Sequence, residues 1–293
     1  MLPDFQQFIA VDWSGARGPK LPGLQLALCS PGHGAPRLLK PPRHLKTWTR
    51  IAVFERILDE SRCNGPILAG FDMSVAFPFC DLGCYFPGHP KSPPNPPALW
   101  RTVDELSDHA DDYYAGAFSR PGSPYADYLN APGHRGVKYD VKRLRVTDQQ
   151  CLNWTRPSSV FNGVGPGSVG TGSLAGMRFF NAVKQCNEPG IKIWPFDKVT
   201  SRDKLILCEI FPRFYVKRAH IDPRSWREKS FLNRVLQAYN SETLRSCPRS
   251  EDEIDALLSA AAMRNLAIEP ATWRPASMSP QAASQEGWIF GVR

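Results

Sequence analysis

Three short apolar runs, each carrying one carboxylate, constrain this chain more than any other feature. Phe8-Ile9-Ala10-Val11 ends at Asp12, Ile67-Leu68-Ala69-Gly70-Phe71 ends at Asp72, and Leu205 to Phe211 encloses Glu209. Each run is too short for a helix and reads as a buried strand. An ionised carboxylate in such a strand loses its hydration, which costs several kcal/mol unless the group is paired or bound to a metal. Such a chain either neutralises each acid locally or gathers the acids around a cation. In the local alternative, Asp12 and Asp72 are strand-end turn formers and Glu209 meets an arginine.

The pattern around these runs predicts a mixed α/β sheet covered by helices. Leu24 to Cys29 and Pro36 to Leu39, separated by the turn residues Ser30 to Gly34, predict a three-stranded antiparallel start. Apolar spacing predicts helices over 48–58, 100–118, 174–183, 225–239 and 254–266, and strands over 191–195 and 205–211. At 293 residues the chain reads as a single domain over 1–293. The stretch 80–159 differs in composition and reads as an insertion or lid. Pro87 to Pro97 is proline-rich and predicts no regular structure, and Arg135 to Arg145 is basic.

Composition narrows the function classes. The formal net charge of +8 favours polyanionic partners such as nucleic acid. No apolar run approaches the roughly 18 residues needed to span a bilayer, so no membrane partner is expected. The start lacks a secretory pattern, and a cytoplasmic location is expected. The eight cysteines are scattered without a C-x-x-C pair, which argues against a disulfide scaffold or structural zinc.

A fourth acid comes from the C-terminal region. Ser250-Glu251-Asp252-Glu253 reads as a capping box, which accounts for Glu251 and Asp252 at a helix start. Asp255 shares a stripe with Leu258, Ala262 and Leu266, and the neighbouring alanines let the helix pack closely on a sheet, so Asp255 points towards strand ends. Asp12, Asp72, Glu209 and Asp255 are the predicted catalytic set, with Glu209 binding a metal or orienting the water. Oxygen ligands of this kind suit Mg²⁺ or Mn²⁺. Two such ions about 3.5–4 Å apart activate a water and stabilise the leaving oxygen of a phosphodiester.

The segment Gly163 to Ser173 contains Gly165, Gly167 and Gly170 at G-x-G-x-x-G spacing. Pro166 inside it and a poor preceding strand argue against a dinucleotide fingerprint, and Thr171 stands where a P-loop would carry lysine. What remains is a flexible turn opening a helix, whose free N–H groups attract anions. Ser14, Gly165, Gly167, Ser168, Gly170, Gly172 and Ser173, with Lys142, Arg143 and Arg145 of the basic cluster around Tyr139, form the predicted phosphate- or substrate-binding set.

FIAVDWSGA (8–16), GFDMSVAFP (70–78), GPGSVGTGSLAGM (165–177), WPF (194–196), EIFP (209–212) and DAL (255–257) together resemble the domain of unknown function 429 family. The matches run in order from residue 8 to about 266. The resemblance implies an RNase H-like fold with a mixed sheet of order 3-2-1-4-5, Asp12 on the central strand and Asp72 on its neighbour. It also implies that Asp255, with Asp252 three residues before it, completes a metal site. The expected function is a two-metal nuclease. The alternatives are a catalytically inactive RNase H-like binding module and an ATP-using member of the same wider fold.

Overall fold

The computed structural model describes residues 1–228 and 230–293. Strands β1 (Gln7–Asp12), β2 (Gln25–Cys29) and β3 (Arg37–Leu38) form the antiparallel start, followed by β4 (Ile67–Phe71). A small ribbon, β5 (Asn130–Ala131) with β6 (His134–Arg135), precedes β7 (Ile191–Ile193) and β8 (Leu205–Glu209). The main sheet has six strands in the order β3-β2-β1-β4-β8-β7, with β1, β4, β8 and β7 parallel. The strand carrying Glu209 lies beside β4, and the strand expected over 191–195 is β7, which extends the five-strand order by one edge.

Alternation along the strands sends side chains into two cores. Ile9 and Val11, Ile67, Ala69 and Phe71, and Leu205 and Leu207 face one side. Phe8 and Ala10, Leu68, and Ile206 and Cys208 face the other. The first face is covered by α1 (Arg50–Asn64) and α4 (Gly170–Gln185), with α2 (Pro96–Glu105) packed on α4. The short α3 (Val146–Cys151) lies beside the sheet's end. The second face is covered by α5 (Pro212–Arg218), α6 (Phe231–Ala238), α7 (Glu251–Ala267) and α8 (Pro270–Trp273), with α9 (Pro280–Gln285) near the C-terminus.

Helix α7 lies against β1 and β2, and its buried Ala256, Ala260, Ala261 and Ala262 permit the close approach. Ser250 caps it, accepting from the Glu253 N–H at 3.2 Å, while the Glu253 carboxylate accepts from the Arg249 N–H at 2.6 Å.

Some boundaries differ from the sequence expectation. Helix α2 begins at Pro96, inside the stretch expected to be irregular, because a proline at the first helical position gives up an N–H that has no partner there. The helix expected over 100–118 stops at Glu105. Asp112 and Tyr113 take positive φ (50° and 55°), which turns Asp112 back so that its Oδ1 accepts from the Ile51 N–H at 2.9 Å. The helix expected over 225–239 is a 3-10 turn at Pro223–Ser225 and then α6, and Lys229 within it lies outside the described residues. The stretch 80–159 shares the first core: Tyr85, Phe86, Trp100, Phe118 and Tyr125 pack in the same cluster as β1, β4 and α4. Among the described residues no helix is long and apolar enough to cross a membrane.

Candidate functional site

Parallel strands β1, β4 and β8 end on one edge of the sheet, where open α/β sheets commonly bind ligands. Asp12 closes β1, Asp72 follows β4 with its N–H donating to the Val11 carbonyl at 3.0 Å, and Glu209 closes β8 opposite Phe71. Strand alternation then separates them. Asp12 and Asp72 continue the set that faces α7, whereas Glu209 continues the set that faces away from it.

On the α7 side, Asp12, Asp72, Asp252 and Asp255 meet. All are half-buried. Burial, then Asp72, Asp255, Asp252 and Glu251, raise the Asp12 carboxyl well above the usual carboxylate range. Burial and then Asp72, Glu251 and Asp252 do the same to Asp255. Asp72 is pushed up to about 7, by burial and then by Glu209. Burial raises Asp252 also, while its own backbone N–H, the Ser250 hydroxyl and Asp12 act in the opposite direction. None of these acids has an ion-pair partner among the described residues.

Glu209 has the opposite surroundings. It is 3% exposed, and Arg145, 1% exposed, holds it through Nη1 to Oε2 at 2.6 Å and Nη2 to Oε1 at 2.5 Å. The same guanidinium donates to both oxygens of Asp148, at 3.0 and 2.9 Å, and to the Glu286 carbonyl at 3.3 Å. The Val75 N–H donates to Glu209 at 3.2 Å. Burial pushes the Glu209 carboxyl up and Arg145 pulls it down. The expected role of Glu209 as a metal ligand or water-orienting group is therefore corrected: its oxygens are occupied by Arg145. Glu286 completes this block, its carboxylate accepting from the N–H groups of Phe79, Cys80 and Val146 at 2.6–2.7 Å.

The predicted substrate-binding residues also divide. Ser14, Gly167, Ser168 and Gly172 line a cavity of about 550 Å³ together with Asp72, Asp255 and Glu251. Gly167 takes φ +71°, a conformation that favours glycine. A Cβ on Gly15 would collide with the Thr171–Gly172 backbone, so the Ser14 loop packs directly on the first turn of α4. Gly165 turns the chain at φ +90°, and the Gly170 N–H is committed to the Asn162 carbonyl at 2.9 Å.

Three expected phosphate contacts are corrected. Ser173 is buried, with its hydroxyl accepting from the Ser74 N–H at 2.9 Å. Arg143 is buried against Asp81, with Nε to Oδ2 at 2.7 Å, and stacks on Phe161. Arg145 is enclosed by Glu209 and Asp148. Lys142 is exposed, in the loop before this block.

Arg213 was not among the candidates, yet it lines both the acid cavity and an adjoining one of about 220 Å³ that holds Arg156 and Asp72. It follows Pro212 at the start of α5, directly after EIFP, and a cation beside a strand-end acid motif was the available signal.

The α7-side donor set is all oxygen, which fits Mg²⁺ or Mn²⁺ and not a soft metal. Among the described residues no three such side chains stand in a ready-made ion cage. No family model, curated protein or solved structure matches the chain.

Proposed function

We propose that the chain is a Mg²⁺- or Mn²⁺-dependent nuclease on an RNase H-like sheet, related to the domain of unknown function 429 family. One observation carries the reading: half-buried acids from β1, α7 and the end of β4 crowd one sheet edge and form no ion pair among the described residues. The order β3-β2-β1-β4-β8, with Asp12 on β1 and Asp72 on its parallel neighbour, supports the fold assignment.

Asp12, Asp72, Asp252 and Asp255 are the residues that would hold the cations. Bound divalent cations supply a more acidic water and charge stabilisation at the leaving oxygen. Arg213 and the Gly167–Ser168 turn border the same cavity and would hold the phosphate against the acids. The Arg145 block fixes the end of β8 and the segment after Asp72, so that Asp72 is held in place.

The test is cleavage of RNA, DNA and RNA–DNA hybrid with Mg²⁺, with Mn²⁺ and with EDTA. Metal-dependent cleavage is expected. Asp12→Asn is expected to lower it about a thousandfold, corresponding to about 4 kcal/mol of lost transition-state stabilisation. No cleavage of any substrate, together with an Asp12→Asn variant unchanged in cation binding and thermal stability, overturns the reading.

A further inference from the structure

Between Asp12 and Glu55 the sequence contains no acidic residue, yet it carries seven lysines and arginines, against a net charge of +8 for the whole chain. Arg50 is neutralised by Asp112 at 3.4 Å and is buried. The rest are exposed.

The register sets where they emerge. β2 runs antiparallel to β1 with Gln25 opposite Asp12, and β3 runs antiparallel to β2, so the chain leaves β3 at the edge that carries Asp12. The loop 13–24 and the loop 40–49 therefore rise beside the acids. They are tied together, the Leu21 N–H donating to Thr47 Oγ1 at 3.2 Å. A groove of about 620 Å³ runs between Lys40, Lys46 and Arg249, and Gln25, the cross-strand neighbour of Asp12, lines it. A second of about 890 Å³ begins at Arg17 and His44. Arg17, Lys20, Lys40, Arg43, Lys46 and Arg249 have no ion-pair partner among the described residues.

Exposed cations without ion pairs, on loops that leave the sheet at the edge carrying Asp12, match a chain of phosphates. The alternative seat, the basic cluster 135–145, has Arg143 and Arg145 committed to buried ion pairs, which leaves Arg135, Lys138 and Lys142 exposed there.

We propose that the face formed by loops 13–24 and 40–49, with Arg249, is the seat of the nucleic-acid backbone, which it leads past Asp12. The inference deepens the nuclease reading and rests on it for the identity of the polyanion.

The test measures binding of a labelled 20-nucleotide single strand and a 20-base-pair duplex by fluorescence anisotropy in EDTA, over a salt series. Lys40→Ala/Arg43→Ala/Lys46→Ala is compared with Lys198→Ala/Arg202→Ala/Lys204→Ala. The second variant removes equal charge near β7 and the start of β8, remote from Asp12. Circular dichroism checks that both variants are folded.

The first variant is expected to bind at least one oligonucleotide form about 10–100-fold more weakly at low salt. Its log–log salt slope is expected to be shallower by about 2–3, from three lost phosphate contacts. The second is expected to bind like the parent. Equal affinity of the first variant and the parent, or binding of anionic lipid vesicles in place of either oligonucleotide, overturns the inference. Because no cleavage is needed in EDTA, a protein that binds through these residues but never cuts overturns the nuclease reading and leaves this face standing. One that cuts but ignores these residues does the reverse.

Discussion

Two groups of carboxylates sit at the same ends of neighbouring strands and have opposite fates. Glu209 and Asp148 are sealed around Arg145, with backbone N–H donors filling in. Asp12, Asp72, Asp252 and Asp255, on the face towards α7, have no ion-pair partner among the described residues and raise one another's carboxyls. The first group behaves as structure, since a satisfied buried ion cluster fixes the segments it joins. In the second, burial and mutual repulsion push the carboxyls up, with no ion pair among the described residues to offset it. The difference follows from side-chain parity along the strands.

The largest effect that tests this contrast belongs to the structural group. Arg145→Ala leaves Glu209 and Asp148 buried without a cation. It is expected to lower unfolding free energy by about 3–5 kcal/mol in chemical denaturation. A loss below about 1 kcal/mol would put the two groups in the same class.

The opposite sign is expected on the α7 side. In EDTA at pH 8, Asp12→Asn or Asp255→Asn removes repulsion and is expected to raise Tm by about 2–4 °C for each kcal/mol gained. Destabilisation by both would break the comparison.

The pH response sharpens it further. Asp12, Asp72 and Asp255 all ionise less readily in the native state than in the unfolded chain. Below the unfolded carboxylate range, near pH 4, both states are protonated and nothing is lost. As pH rises the unfolded state releases protons first, so native stability falls until the folded groups ionise, near pH 7 for Asp72. Thermal melts in EDTA should therefore show Tm falling from pH 4.5 to 7.5. Mg²⁺ or Mn²⁺ should restore it at the upper end and leave the lower end unchanged.

The smallest effect is expected at Lys142, exposed and without an ion pair among the described residues. Lys142→Ala should stay within about 0.5 kcal/mol of the parent in the same denaturation assay.

The strands were legible because each is a brief, bounded apolar run, and Ile67 to Phe71 matches its observed limits. The start of α7 was legible from Ser250 and Glu253, and the direction of Asp255 from its stripe. The turn of Glu209 away from the other acids was implicit in the alternation Leu205, Leu207, Glu209, but its partner was not. Arg145 lies in a different segment, and only the fold brings the two together. Its surroundings made it look like a surface phosphate contact, as did those of Arg143. The break after Glu105 was hidden for a related reason: Asp112 bends back to meet Arg50 and the first turn of α1, a long-range demand that local spacing does not record.

Helix α7 delivers half of the acid edge from late in the sequence, while Asp12 comes from its first strand. During synthesis on the ribosome, the growing polypeptide therefore lacks Asp252 and Asp255 until most of its length has been translated. The acid edge is completed only after α7 has been made.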